Sequence, residues 1–184
     1  MNRAKFFSSV RSSIFGGKLE QNEVAGCETI INAFEAAGLT NSNWLAYMLA
    51  TVFHECAGTM QPIGEYGRGK GREYGKPAGP FNQVYYGRGF VQLTWLDNYK
   101  RAEDELGQPF VEHPELALDP KYAADIMIKG MTEGWFTGKR LAQYFNSKND
   151  PVNARRIING TDKATLIAGY HAKFLKAINE ANAG

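Results

Sequence analysis

The stretch Trp44-Leu45-Ala46-Tyr47-Met48-Leu49-Ala50-Thr51-Val52-Phe53-His54-Glu55 decides how this chain folds. Between Trp44 and Phe53 only Thr51 is polar, a pattern that suits a helix buried on every side. Asn41, Ser42 and Asn43 offer N-cap side chains ahead of it, and Gly58 offers a residue for the left-handed turn that ends it. The segment is expected to be the central helix of a mainly α domain.

Glu55 closes that run. The negative end of a helix and apolar neighbours both favour a protonated carboxyl, which is what a general acid requires. Glu65 follows within Gly64-Glu65-Tyr66-Gly67-Arg68-Gly69, where a solvated loop with basic neighbours favours an ionised carboxylate, as a general base requires. Glycoside hydrolysis needs two carboxyls in such unlike surroundings. The plainer reading is a frayed helix-end carboxylate and a surface charge, and the spacing alone does not separate the two. A glutamate inside so apolar a helix weighs towards chemistry.

Outward from this pair, 184 residues with 43% hydrophobic and 12% aromatic content predict one globular domain spanning 1–184. The net charge of +2 is too small for a nucleic-acid-binding profile, so nucleic acid is not expected as a partner, though a mildly basic surface suits an anionic wall polymer. Cys27 and Cys56 fall in helical apolar patterns and are expected to be buried free thiols. No run is long and apolar enough for a membrane span, and Met1 to Arg11 lacks the unbroken apolar core of a signal peptide. The expectation is therefore a monomer made in the cytoplasm, without stable membrane insertion.

Val24, Cys27, Ile31 and Phe34 recur at helical spacing up to Gly38. Periodicity disappears from Gly64 to Gly89, where glycines alternate with Tyr66, Tyr74, Phe81, Tyr85 and Tyr86; a long loop or small lobe over about 59–90 is expected to form one wall of a cleft. A helix resumes near Thr94 to Leu106. Asp119-Pro120 and Asp150-Pro151 each place an N-cap before a first-turn proline, and Leu166, Tyr170, Phe174 and Ile178 mark the apolar face of a last helix.

Other chemistries fail on spacing. His54-Glu55 opens like a zinc-protease helix, but the second histidine position is Gly58, so no metal is expected. Gly64 to Lys70 has phosphate-loop spacing, but Gly71 follows the lysine and no strand precedes it, so no nucleotide or other cofactor is expected. Arg68, Lys70, Arg72, Lys76 and Arg88 interleave with tyrosines in a way that suits single-stranded nucleic acid, yet aromatic faces serve a glycan groove equally well.

The segment Tyr85-Tyr86-Gly87-Arg88-Gly89-Phe90-Val91-Gln92-Leu93-Thr94-Trp95 resembles glycoside hydrolase family 19, the chitinase-like enzymes, and in particular the short lytic enzymes of bacteriophages and prophages. His54-Glu55, Asn98 and Arg156-Ile157-Ile158-Asn159-Gly160 resemble further family segments, and the likeness runs from about Phe6 to Ala177. The resemblance implies a lysozyme-like or chitinase-like helical domain that cleaves β-1,4 bonds of peptidoglycan glycan strands by inversion, with chitin as the alternative substrate. Such an enzyme would wait in the host cytoplasm and reach the wall at lysis. By the same resemblance Glu55 is the general acid, Glu65 the general base and Thr94 the residue that positions water. Gln92, Asn98 and Asn159 hydrogen-bond the sugar, and Tyr86 and Arg88 shape the cleft wall. Plant-type members have a longer insert between the two glutamates and disulfides that this chain cannot form, which leaves Glu73 as a rival to Glu65.

Overall fold

The computed structural model describes residues 1–184. Its centre is the helix α3 (Ser42–Glu55), capped by Asn41, whose side-chain oxygen accepts from the Asn43 and Trp44 amides. Eight consecutive residues, Leu45 to Val52, are buried, as a helix covered on all sides demands. The covering helices are α1 (Arg3–Ser13), α2 (Gln21–Ala36), α5 (Pro120–Glu133) and α7 (Ala164–Asn182). The longest of these, α7, lies along both α3 and α1, while α2 packs on α3 and α5. Two further helices, α4 (Leu96–Leu106) and the one-turn α6 (Ala142–Phe145), complete the set. None of them is long and apolar enough to cross a membrane.

Local chemistry accounts for most of these boundaries. Asp119 caps α5 through the Lys121 amide with Pro120 at the first helical position, and Gly134 ends the helix in the left-handed region, as expected of the Asp-Pro pair. Asp150 behaves differently. It accepts from the Asn153 amide but starts only a short 3-10 turn, Asn153–Ile157. On α7 the buried face is Ile167, His171, Phe174, Ala177 and Ile178 rather than the simple i, i+4 column, and Leu166 at the head of that column is exposed. The N-terminal helix α1, with Phe6 and Val10 buried, carries too few apolar residues to have stood out by period.

The glycine-rich segment is an irregular lobe pinned at its base by a two-residue antiparallel pair. In this pair β1 (Ile63–Gly64) meets β2 (Arg88–Gly89), with Ile63 opposite Gly89 and Gly64 opposite Arg88. Inside the lobe a 3-10 turn spans Glu73–Gly75. A Cβ on Gly75 would collide with the Gly69 carbonyl, so only glycine allows the two backbones to approach and hold Tyr74 in place. Both cysteines are buried and free. The Cys56 thiol approaches the Gly89 and Phe90 carbonyls, and burial pushes its pKa up to about 12, which leaves it an inert packing residue.

Candidate active site

A groove of about 340 Å³ opens between the end of α3 and the lobe. Glu55 lines it from α3, and Val91, Gln92, Thr94 and Trp95 line it from the segment after β2. Asn98 comes from the first turn of α4, Tyr74 from the lobe, and Phe136, Ile158 and Asn159 from the opposite side. Residues far apart in sequence thus face one space, as a catalytic cleft requires.

Glu55 is not alone at the helix end. Arg155, 2% exposed, donates from Nη1 to Glu55 Oε1 at 2.7 Å and from Nε to the Asp162 carbonyl at 2.8 Å. The carboxyl at the end of this apolar helix thus has a buried guanidinium as its ion-pair partner, contributed by a residue far away in the sequence. Next to it, burial lowers the pKa of the His54 imidazole, which favours its neutral form.

Glu65 follows β1 and sits one layer behind the groove surface. Its Oε1 accepts from the Tyr74 hydroxyl at 2.8 Å and its Oε2 from the Gly87 amide at 3.3 Å, while its own amide donates to the Gly87 carbonyl. Burial first, then the carboxylate, raises the Tyr74 phenol pKa, so this tyrosine stays a donor. The rival Glu73 is exposed and pairs with Lys76 at 2.8 Å across a single turn. Of the two, only Glu65 is tied to a groove residue.

Thr94 is flanked by strain. Gln92 and Trp95 both have positive φ (58° and 76°), a costly conformation for residues with a Cβ that clusters at functional sites. The Thr94 hydroxyl donates to the Gln92 carbonyl at 2.8 Å, which leaves its oxygen lone pairs to accept from a water in the groove. The Thr94 carbonyl accepts from Asn98 Nδ2 at 2.9 Å, so Asn98 has its carbonyl oxygen left for a ligand. Gln92 is similarly half used, its Nε2 donating to the Ile63 and Gly89 carbonyls across the β1–β2 pair. Asn159 is exposed on the groove wall.

Two expected wall residues are not on the wall. Arg88, 6% exposed, donates from Nη1 to the Val84 and Tyr86 carbonyls and to the Tyr99 hydroxyl, and its guanidinium lies 3.6 Å from the Tyr86 ring centre. Tyr86 in turn accepts from the Tyr99 hydroxyl at its carbonyl. Arg88 faces inward because a buried guanidinium must find acceptors, and the half-buried Tyr86 ring lies against that guanidinium. They brace the lobe and do not line the groove. In the opposite direction, Tyr74, Trp95, Phe136 and Arg155 went unassigned at the sequence level. The exposed aromatic next to Thr94 was the available signal for Trp95; nothing local marked Arg155.

The fold is that of the family 19 chitinases. The chain matches chitinase C from Streptomyces griseus with a TM-score of 0.62 at 24% identity, covering 98% of this chain and 76% of that one. It matches a bacterial family 19 chitinase at 0.58 and 22% identity, covering 96% of this chain and 93% of that one. A class IV chitinase from Zea mays follows at 0.57 and 21%, with 94% of each chain covered. By sequence the chain is 28% identical over 174 residues to an endochitinase of Arabidopsis thaliana, covering 86% of this chain and 57% of that protein. It is likewise 28% identical over 151 residues to an acidic endochitinase of Petunia hybrida, covering 70% and 55%. The chain thus spans little more than half the length of these relatives. No family model matches the sequence.

Proposed function

We propose that the protein is a glycoside hydrolase that cuts β-1,4 bonds between N-acetylated sugars in one inverting step. Glu55 donates a proton to the leaving oxygen, Glu65 acts as base, and Thr94 holds the attacking water. Gln92, Asn98 and Asn159 supply polar groups to the sugar. The observation that carries this reading is the convergence of Glu55 and the Thr94 hydroxyl on one groove, with Glu65 joined to it through Tyr74.

For the substrate, the reading is the glycan strand of bacterial peptidoglycan, and for the role, a lytic enzyme of the phage type. Support comes from the short segment between the two glutamates, which leaves the groove open to a cross-linked polymer, and from a mildly basic composition with pI about 8.5 facing an anionic wall. The second reading is a chitinase, favoured by the names of the proteins this chain resembles. Digestion of purified peptidoglycan and of soluble chitin oligomers, followed by mass spectrometry of the fragments, separates them. Disaccharide-peptide fragments support the first, and shortened oligomers alone support the second. Turnover of neither would remove the enzymatic reading and leave a glycan-binding module.

A further inference from the structure

The Trp95 backbone caps α4, but its indole is not buried in the core. The residue is 51% exposed, holds φ at 76°, and lines the groove beside Thr94. Trp44 and Trp135 are more covered. A large aromatic kept exposed in a costly backbone conformation points to a ligand that covers it. The flat apolar face of a pyranose ring fits that description, since its C–H groups pack on an indole.

The indole also has a specific neighbour. The Tyr74 ring meets it edge-on, with centroids 5.3 Å apart and planes at 73°. The hydroxyl of the same Tyr74 donates to Glu65 Oε1 at 2.8 Å. Tyr74 is the side chain through which Glu65, itself behind the groove surface, touches the groove. The backbones of Gly69 and Gly75 approach so closely that neither tolerates a Cβ, and Tyr74 precedes Gly75 in this tight turn. A sugar seated on Trp95 therefore presses on a ring whose other end holds the carboxylate.

We propose that Tyr74 is a positioning residue that couples sugar stacking on Trp95 to the orientation of Glu65. The proposal rests on the glycosidase reading given above. Seating the sugar fixes the indole, the indole fixes the tyrosine ring, and the hydroxyl aims one carboxylate oxygen at the water site near Thr94. Binding energy from a sugar ring away from the reacting bond is thereby used to orient the base.

Steady-state kinetics on soluble peptidoglycan glycan strands or an N-acetylglucosamine oligomer, whichever the parent cleaves, with melting temperatures in parallel, test it. Tyr74→Phe keeps the ring edge on Trp95 and removes only the hydroxyl. Its kcat is expected to fall about 10- to 100-fold with KM near the parent's and the melting temperature unchanged. Trp95→Ala is expected to raise KM and lower kcat together, and Trp95→Phe to restore most of both. Once Tyr74 is phenylalanine, Trp95→Ala should cost less in kcat than it does in the parent, because the coupling is already cut. A parental kcat in Tyr74→Phe, or strictly additive effects in the double variant, overturns the coupling while the parent's activity upholds the glycosidase reading. A folded parent that turns over no glycan removes that reading itself, and the coupling with it.

Discussion

Arg155 and Glu55 form an ion pair with 2.7 Å between Nη1 and Oε1, and the arginine side chain is almost wholly buried. The pair joins the end of α3 to the turn that also carries Ile158 and Asn159, so it holds two walls of the groove together. Glu55→Gln keeps an oxygen for the arginine to donate to but has no proton to give. Turnover should fall by at least about 10²-fold while the variant remains folded. Arg155→Met should instead cost about 3 kcal/mol or more of stability, because it strands a largely buried carboxylate. Turnover within a few-fold of the parent in Glu55→Gln would remove Glu55 from the role of acid; denaturant titration checks the arginine.

Glu65→Gln and Glu73→Gln separate the two candidates for the base. The first removes a carboxylate held by Tyr74 and the Gly87 amide and should lower kcat by about 10²–10⁴-fold. The second breaks only an exposed pair with Lys76 and should leave both rate and stability near the parent's. If the Glu73 variant is the crippled one, the base has been misassigned.

Thr94→Val retains the β-branched shape and deletes the hydroxyl. One hydrogen bond to an ordered water corresponds to about a tenfold loss in kcat, with a melting temperature close to the parent's. A large drop in melting temperature at normal specific activity would make Thr94 a brace for the Gln92–Trp95 turn instead.

His171 predicts an acid weakness of the fold. It is 2% exposed, stacks on Phe145 at 5.2 Å, and burial lowers its pKa to about 4 from the ordinary 6.5. Because the folded-state value lies below the unfolded one, its contribution is complete above about pH 6.5 and is lost as pH falls towards 4, by about 3 kcal/mol in all. His171→Phe keeps an aromatic ring against Phe145 and removes the titrating group. Urea denaturation at pH 7 and pH 4.5 should show a smaller acid loss in the variant; equal losses would exclude His171 as its source.

The anomer released first reports the mechanism. Glu55 lines the groove and Glu65 joins it through the Tyr74 hydroxyl, and the proposed mechanism has Glu65 act on a water, not on the anomeric carbon. Inversion of a β-linked glycan yields the α-anomer first, and proton magnetic resonance of a fresh oligomer digest detects it before mutarotation. An initial β-anomer would require retention and would end the role assigned to Glu65.

Local rules written in the chain were enough for α3 with Glu55 at its end, for the capped start of α5 and for the loop-rich lobe, whereas Thr94, Gln92, Asn98 and Asn159 were named only through the family resemblance. Caps, left-handed glycines and an all-apolar run act within a few residues of themselves, so a linear reading captures them. The same reading went astray on Leu166, where a spacing of four did not say which side of α7 meets α3. Nor did it foresee that the Arg88 guanidinium turns inward to the Val84 and Tyr86 carbonyls, with the Tyr86 ring against it.

What the sequence by itself determined is the helical frame and the two carboxyls of interest, because hydrophobic period and capping are local properties of the chain. What only the tertiary structure decided is the company those carboxyls keep. Arg155 reaches Glu55 from a hundred residues away, and Tyr74 reaches Glu65 from a lobe turn in which the Gly69 and Gly75 backbones nearly touch. Electrostatic partners act through space over a few ångströms, and closeness in space is set by packing, which no spacing along the chain records.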